Sequence, residues 1–67
     1  MKRINLIKWQ MEHGYTSRFI ADKLGVSETT YSLIKNGKTT PTLDIAYKFS
    51  EIFNVDNVLE LFKKEGD

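Results

Sequence analysis

Few positions in this sequence carry side chains that could support acid–base or metal chemistry. His13 follows Glu12, but a single histidine without a positioned nucleophile or a second carboxylate is far more often structural or solvated than catalytic. The chain has no cysteine, and its histidine and carboxylates show no metal-ligand spacing. We therefore expect no enzymatic activity, no cofactor and no metal.

Polar chemistry of another kind is concentrated in residues 24–42, LGVSETTYSLIKNGKTTPT. This stretch contains hydroxyl, amide and ammonium groups, which suit phosphate oxygens and the edges of bases. A glycine and a capping serine precede a short helix-like run, and a second glycine follows it. The pattern predicts a short helix with sharply defined ends.

Glycine, asparagine and proline divide the chain into segments of roughly ten residues, an ordinary length for a helix. We predict an all-α fold. Its five helices are expected from Ile4 to His13, from a cap at Thr16 to Gly25, from a cap at Ser27 to Asn36, from a cap at Thr42 to Asn54, and from a cap at Asp56 to a frayed tail at 63–67.

Apolar residues recur at helical spacing and predict the core. The fourth helix has the strongest apolar face and is expected to form the main wall. The predicted inward residues are Leu6 and Trp9, Phe19 or Ile20, Ala21 and Leu24, Tyr31 and Ile34, and Leu43, Ile45, Ala46, Phe49, Ile52 and Phe53.

The size and composition of the chain predict a single domain, 1–67, stabilised by packing or by dimerisation. Its apolar stretches are too short to span a bilayer. The opening MKRINLIKW has too short an apolar part for a signal peptide and no cleavage site. We expect a cytoplasmic protein that does not associate with membranes.

Only Gly25, Val26 and Ser27 separate the second and third predicted helices. A three-residue turn of this kind makes the two helices cross steeply and leaves the third exposed. An exposed helix fits the major groove of DNA, where its side chains can reach base edges. The spacing therefore predicts a helix-turn-helix.

From Leu6 to Leu61 the sequence resembles the lambda-repressor-like helix-turn-helix family, which includes phage Cro proteins and Xre-type regulators. The matching residues are Gly14 and Thr16, IADKLGVS at 20–27, TYSLIKNGKTTPT at 30–42 and IFNVDNVLEL at 52–61. The resemblance implies a five-helix domain that binds double-stranded DNA, usually as a symmetric homodimer on a pseudo-palindromic operator, and regulates transcription. With no second domain, no small-molecule ligand is expected.

The resemblance also implies roles for individual residues. Base reading is expected from the outward positions of the third helix, Glu28, Thr29, Ser32 and Leu33. Contacts to the DNA backbone are expected from Ser17, Lys35, Asn36, Lys38, Thr39 and Thr40.

The chain departs from the family pattern at several of these positions. Ser17 stands where Gln is usual, while Glu28 and Leu33 stand where Gln or Arg is common. Gln10 and Lys35 occupy places where the family often has an Arg–Glu ion pair. The absence of that pair is expected to leave Lys35 available for a phosphate.

Ile4, Ile7 and Met11, the remaining apolar residues of the first helix, have two possible partners. They can pack on the last helix, or they can form a dimer surface together with Leu59 and Phe62. A reader of one half-site gains affinity from pairing, because two phosphate footprints act together. We expect a homodimer at least on DNA.

Charge is distributed unevenly along the chain. Residues 1–42 carry a net charge of +4 and residues 43–67 a net charge of −3, which could orient the domain on a phosphate backbone. We predict a repressor of phage, prophage or mobile-element type that acts by occupying its operator. The rival hypothesis is a helix-turn-helix that binds another protein, as an antirepressor or antitoxin-like partner, which Glu28 and Leu33 in the reading helix favour.

Overall fold

The computed structural model describes residues 2–63, whose regular secondary structure is entirely helical. Its helices are α1 (Ile4–His13), α2 (Ser17–Leu24), α3 (Glu28–Lys35), α4 (Leu43–Phe53) and α5 (Val58–Leu61). The predicted all-α fold with five helices is confirmed. Within the described part of the chain, no helix is long and apolar enough to cross a membrane. The frayed tail predicted at 63–67 lies, except for Lys63, outside the described residues.

Side-chain caps fix the starts of the three central helices. Thr16, Ser27 and Thr42 each accept a hydrogen bond from the backbone amide three residues further on, over 3.0 to 3.2 Å. Each of these bonds satisfies an amide that has no partner within its own helix. The three caps predicted for α2, α3 and α4 are confirmed.

The predicted cap at Asp56 is wrong. The helix begins at Val58, its N-cap residue is Asn57, and no side chain caps it. The turn before α5 is held by α4. The Val55 amide donates to the Ser50 carbonyl at 3.0 Å, and the Ser50 hydroxyl donates to the Val55 carbonyl at 2.7 Å. A helix of only four residues depends on packing rather than on its own hydrogen bonds.

The turn between α2 and α3 depends on glycine. Gly25 ends α2 with φ of +75°, a left-handed conformation that other residues adopt only with strain. The next amide, that of Val26, donates to the Ala21 carbonyl at 3.0 Å and completes the cap. The chain therefore leaves α2 in a fixed direction and enters α3 within three residues.

The core lies where all five helices meet. Its fully buried side chains are Leu6, Ile20, Ala21, Leu24, Tyr31, Ile34 and Phe49. Of the two alternatives on α2, Ile20 is inside, whereas Phe19 is 40% exposed. Trp9 packs on the core through its ring contacts with Phe49 and Phe53, at centroid distances of 5.0 and 5.3 Å.

The α4 helix contributes a narrower face to the core than predicted. Ala46 and Phe49 are buried, but Leu43 is 85% exposed and Ile52 is 45% exposed. Leu43 is the first residue of the helix, and α4 packs mainly on α2 and α5. The periodicity identified an apolar face correctly but overestimated how much of that face meets a neighbouring helix.

The apolar residues outside the core separate into two groups. Ile4 and Ile7 are half-buried on α1, which contacts α5, and Phe62 packs on Phe49 at a centroid distance of 5.3 Å. Met11 is 75% exposed and Leu59 76% exposed. Phe62 is thus partly buried against the core, and the dimer surface stays a prediction.

Arg3 is buried, with only 2% of its surface exposed. Its guanidinium donates to the Ile34 carbonyl at 2.9 Å, and its backbone amide donates to the Lys35 carbonyl at 3.0 Å. A cation at the carboxyl end of a helix is favoured by the helix dipole. Arg3 is one of the bases counted in the positive half of the chain. Its side chain is buried against the end of α3 and is not exposed at a DNA-binding surface.

Replacing Arg3 by Met should lower the free energy of unfolding by about 1.5–3 kcal/mol, because a charged hydrogen bond to a buried carbonyl is lost. Urea unfolding followed by far-UV circular dichroism measures the change. Lys2→Met is the matched control, since it removes the same charge from the exposed neighbour. Equal stability of the two variants would show that the Arg3 contacts contribute nothing.

Candidate nucleic-acid interface

The α3 helix has one face in the core and one face in solvent. On the inner face, Tyr31 and Ile34 are each 1% exposed. Thr29 and Thr30 are β-branched and Tyr31 is aromatic, so the intrinsic helix propensity of this segment is modest. The buried pair and the Ser27 cap therefore hold the helix in place.

The outer face of α3 presents the four predicted base-reading residues. Glu28 and Thr29 are exposed, Leu33 is 42% exposed and Ser32 is half-buried. Helical periodicity places Thr29 and Leu33 opposite Tyr31, with Glu28 and Ser32 along one flank of that face. The structure thus gathers them on the solvent side of the helix, and their contacts to bases stay a prediction.

The loop after α3 folds back onto the end of that helix. Gly37 has φ of +74°, and the amides of Lys38 and Thr39 both donate to the Leu33 carbonyl, at 2.9 and 3.3 Å. The side chains of Lys38, Thr39 and Thr40 are exposed. An ammonium and two hydroxyls therefore lie next to the carboxyl end of the outer face, where phosphate contacts are predicted. Asn36, also predicted to contact the backbone, is the half-buried C-cap residue of α3.

Ser17 and Lys35, predicted separately to contact the DNA backbone, lie together in the structure. The Lys35 Nζ donates to the Ser17 Oγ at 2.9 Å, which joins α3 to the first residue of α2. The absence of the family's ion pair does not leave Lys35 without a hydrogen bond, because the Ser17 hydroxyl accepts from its ammonium. The phosphate contact of Lys35 stays a prediction. An ammonium has three donors, so Lys35 keeps capacity for an anion.

A polar network behind this pair was not predicted. The Tyr31 hydroxyl donates to the Gln10 Oε1 at 2.8 Å, and the Gln10 Nε2 donates to the Ser17 Oγ at 3.3 Å. The Lys35 ammonium also lies 5.8 Å from the centroid of the Tyr31 ring. The network joins α1, α2 and α3 behind the predicted DNA-binding surface. The replacement of the family's ion pair was the only signal in the sequence that pointed to it.

His13 contacts Trp9 of its own helix. The His13 Nδ1 lies 2.8 Å from the Trp9 carbonyl oxygen, and its ring packs on Trp9 at a centroid distance of 4.5 Å. These contacts support the structural interpretation of His13. Among residues 2–63, no group of histidine and carboxylate side chains could hold a metal.

Burial raises the pKa of the Tyr31 phenol above its ordinary value of 10.0. A group whose pKa is raised by folding contributes stability that is complete below its unfolded pKa and is lost as the pH rises above it. The Tyr31 contribution should therefore be constant from neutral pH to about pH 9 and should decrease above about pH 10.

Tyr31→Phe should lower the free energy of unfolding by about 1 kcal/mol at pH 8, because it removes the hydrogen bond to Gln10. The same variant should lose less stability than the wild type when the pH is raised above about 10, since its ring cannot ionise. Urea unfolding at both pH values measures the difference. An identical alkaline loss in the two proteins would contradict the role of the Tyr31 phenol.

The packed pair of α2 and α3, joined by a three-residue turn and with polar groups around the exposed face of the second helix, defines a helix-turn-helix domain of the DNA-binding class. A family model described as helix-turn-helix matches residues 7–56, which is most of the chain. The chain belongs to the lambda-repressor-like, Xre-type helix-turn-helix family, and the predicted resemblance is confirmed.

Two curated archaeal proteins are similar to the chain. One, from Methanocaldococcus jannaschii, is 38% identical over 55 residues, which are 82% of this chain and 82% of that protein. The other, from Archaeoglobus fulgidus, is 33% identical over 52 residues, 78% of this chain and 74% of that protein. Both are described as uncharacterized HTH-type transcriptional regulators. No solved structure is significantly similar to the chain.

Proposed function

We propose that this protein is a transcriptional regulator that recognises a specific sequence in double-stranded DNA. The observation that carries the proposal is the division of α3 into a buried face, held by Tyr31 and Ile34, and an accessible polar face. The family membership and the descriptions of the two archaeal relatives support it. The family is typically non-enzymatic, and regulation by binding needs no catalytic step.

In this proposal α3 enters the major groove with its outer face toward the base edges. The hydroxyls of Thr29 and Ser32 can donate to or accept from bases, and Glu28 can accept from the amino group of cytosine. Leu33 can contact the methyl group of thymine. These preferences define which bases the helix can read. Glu28 should discriminate most strongly between bases, because phosphates repel its carboxylate unless a cytosine amino group donates to it.

The DNA backbone is held on two sides of α3. Ser17 and Lys35 form one group of donors, and the loop residues Lys38, Thr39 and Thr40 form the other, next to Asn36. Hydroxyl, amide and ammonium donors of this kind position a protein on phosphates without reading sequence. Their placement beside the reading face supports the proposed role.

Regulation is proposed to occur by occupancy of an operator that overlaps a promoter. A homodimer would place two copies of α3 in successive major grooves of a pseudo-palindromic site, about one helical turn apart. Both relatives come from archaea, so the predicted phage, prophage or mobile-element origin stays a prediction.

The DNA-binding prediction is tested by selecting preferred duplexes from a random pool and measuring their affinity by fluorescence anisotropy at several salt concentrations. At physiological salt the selected duplex should bind at least about 10³-fold more tightly than a scrambled one. The selected sequence should be an inverted repeat that holds two chains, as analytical ultracentrifugation will show. Equal and weak binding to both duplexes would contradict sequence-specific recognition.

Lys38→Gln should weaken binding to all sequences alike and reduce the slope of log K against log salt by about 1, because one phosphate contact is lost. Lys63→Gln is the matched control, since it removes the same charge from an exposed residue that follows α5 and should leave the slope unchanged. A Lys38 variant with the wild-type slope would exclude the loop from the interface.

A second candidate function is supported by the exposed Glu28 carboxylate and the 42% exposed Leu33 side chain on the same helix face. Such a face suits the binding of another protein, in an antirepressor or antitoxin-like role. Reversing the charges of Lys35 and Lys38 separates the two functions. DNA binding should be lost if the protein is a regulator, whereas binding of a protein partner would persist if it is an interaction module.

A further inference from the structure

We propose that Tyr31 and Gln10 are positioning residues that fix the hydroxyl of Ser17 as an outward-pointing hydrogen-bond donor to a DNA phosphate. The inference rests on the proposed function, since it assigns a donor direction to one of the proposed backbone contacts. Neither positioning residue needs to touch DNA. Their effect passes through a hydrogen bond from Tyr31 to Gln10 and a second one from Gln10 to Ser17.

The Ser17 oxygen accepts two hydrogen bonds in the structure. One comes from the Gln10 Nε2 at 3.3 Å and the other from the Lys35 Nζ at 2.9 Å. A serine hydroxyl has two acceptor sites and one hydrogen to donate, and an ammonium can only donate. With both acceptor sites engaged, the Ser17 hydrogen points away from Gln10 and Lys35. It is left for an acceptor outside the network, which a phosphate oxygen provides.

This arrangement requires the Gln10 amide to keep one of its two orientations. With the amide reversed, its oxygen would accept the Ser17 hydrogen and its NH₂ group would face the Tyr31 hydroxyl. Tyr31 is 1% exposed, so its O–H would then be left without an acceptor in a buried position, which is unfavourable. The buried phenol therefore selects the orientation in which Gln10 donates to Ser17.

The positive charge of Lys35 beside Ser17 also favours a phosphate as the ligand. The Lys35 ammonium is held between the Ser17 oxygen and the Tyr31 ring, at 2.9 Å from the oxygen and 5.8 Å from the ring centroid. A hydroxyl that can only donate, next to a positive charge, favours an acceptor that carries negative charge. A phosphodiester oxygen meets both requirements.

The proposal is tested by a double-mutant cycle on a short random-sequence duplex at low salt, which measures phosphate contacts independently of the operator. Ser17→Ala should weaken binding about tenfold, and Tyr31→Phe about threefold. In the Ser17→Ala background, the Tyr31→Phe change should have no further effect, because the hydroxyl that it orients is absent. Tyr31→Phe should leave the salt dependence unchanged, since no charge is altered.

Several variants separate positioning from general damage to the fold. Tyr47→Phe removes the same hydroxyl from a tyrosine that is 60% exposed on α4 and should bind like the wild type. Ser17→Thr keeps the hydroxyl and should retain most of the affinity. If Tyr31→Phe proves unstable, Gln10→Ala tests the same network. It should weaken DNA binding about threefold, and this effect should likewise vanish in the Ser17→Ala background.

The proposal is overturned if Tyr31→Phe and Gln10→Ala bind like the wild type, or if they weaken binding equally with and without the Ser17 hydroxyl. Persistence of the Lys38→Gln effect in that case would leave the proposed function intact. If the wild type binds no duplex even at low salt, both the inference and the proposed function fail.

Discussion

The position of the accessible face of α3 depends on the contacts that hold the buried face of the same helix. Tyr31 and Ile34 are almost completely enclosed, and the segment around them has little helix propensity of its own. The Ser27 cap fixes the amino end of the helix, while the Arg3 guanidinium binds the Ile34 carbonyl at its carboxyl end. These contacts allow a helix of eight residues to keep a polar face in solvent without losing its position.

The same buried tyrosine connects the core to the proposed phosphate contacts. Its ring packs in the core, whereas its hydroxyl begins a chain of hydrogen bonds through Gln10 to Ser17, where the Lys35 bond also ends. A polar network at the edge of a core is favourable only when each member is satisfied. In the proposed arrangement the Ser17 hydrogen is left for a phosphate oxygen, so binding an anion completes the hydrogen bonding of that hydroxyl.

Local features of the fold could be predicted from sequence, whereas contacts between distant residues could not. The caps at Thr16, Ser27 and Thr42 were predictable because each acts within three residues, and periodicity found the two faces of α3. Arg3 bonds to a carbonyl 31 positions away and Gln10 to a hydroxyl 21 positions away, and no pattern in one sequence reveals such pairs. For the same reason the engagement of Lys35 by Ser17 was missed.

The central claim is that the outer face of α3 and its flanking donors form the surface that meets DNA. Chemical-shift mapping by NMR, with unlabelled duplex added to the ¹⁵N-labelled protein, tests it most directly. The account predicts that the largest amide shifts fall in α3, at Ser17 and in the loop 36–40. Shifts confined to α5 and the exposed side of α4, with α3 unaffected, would contradict it.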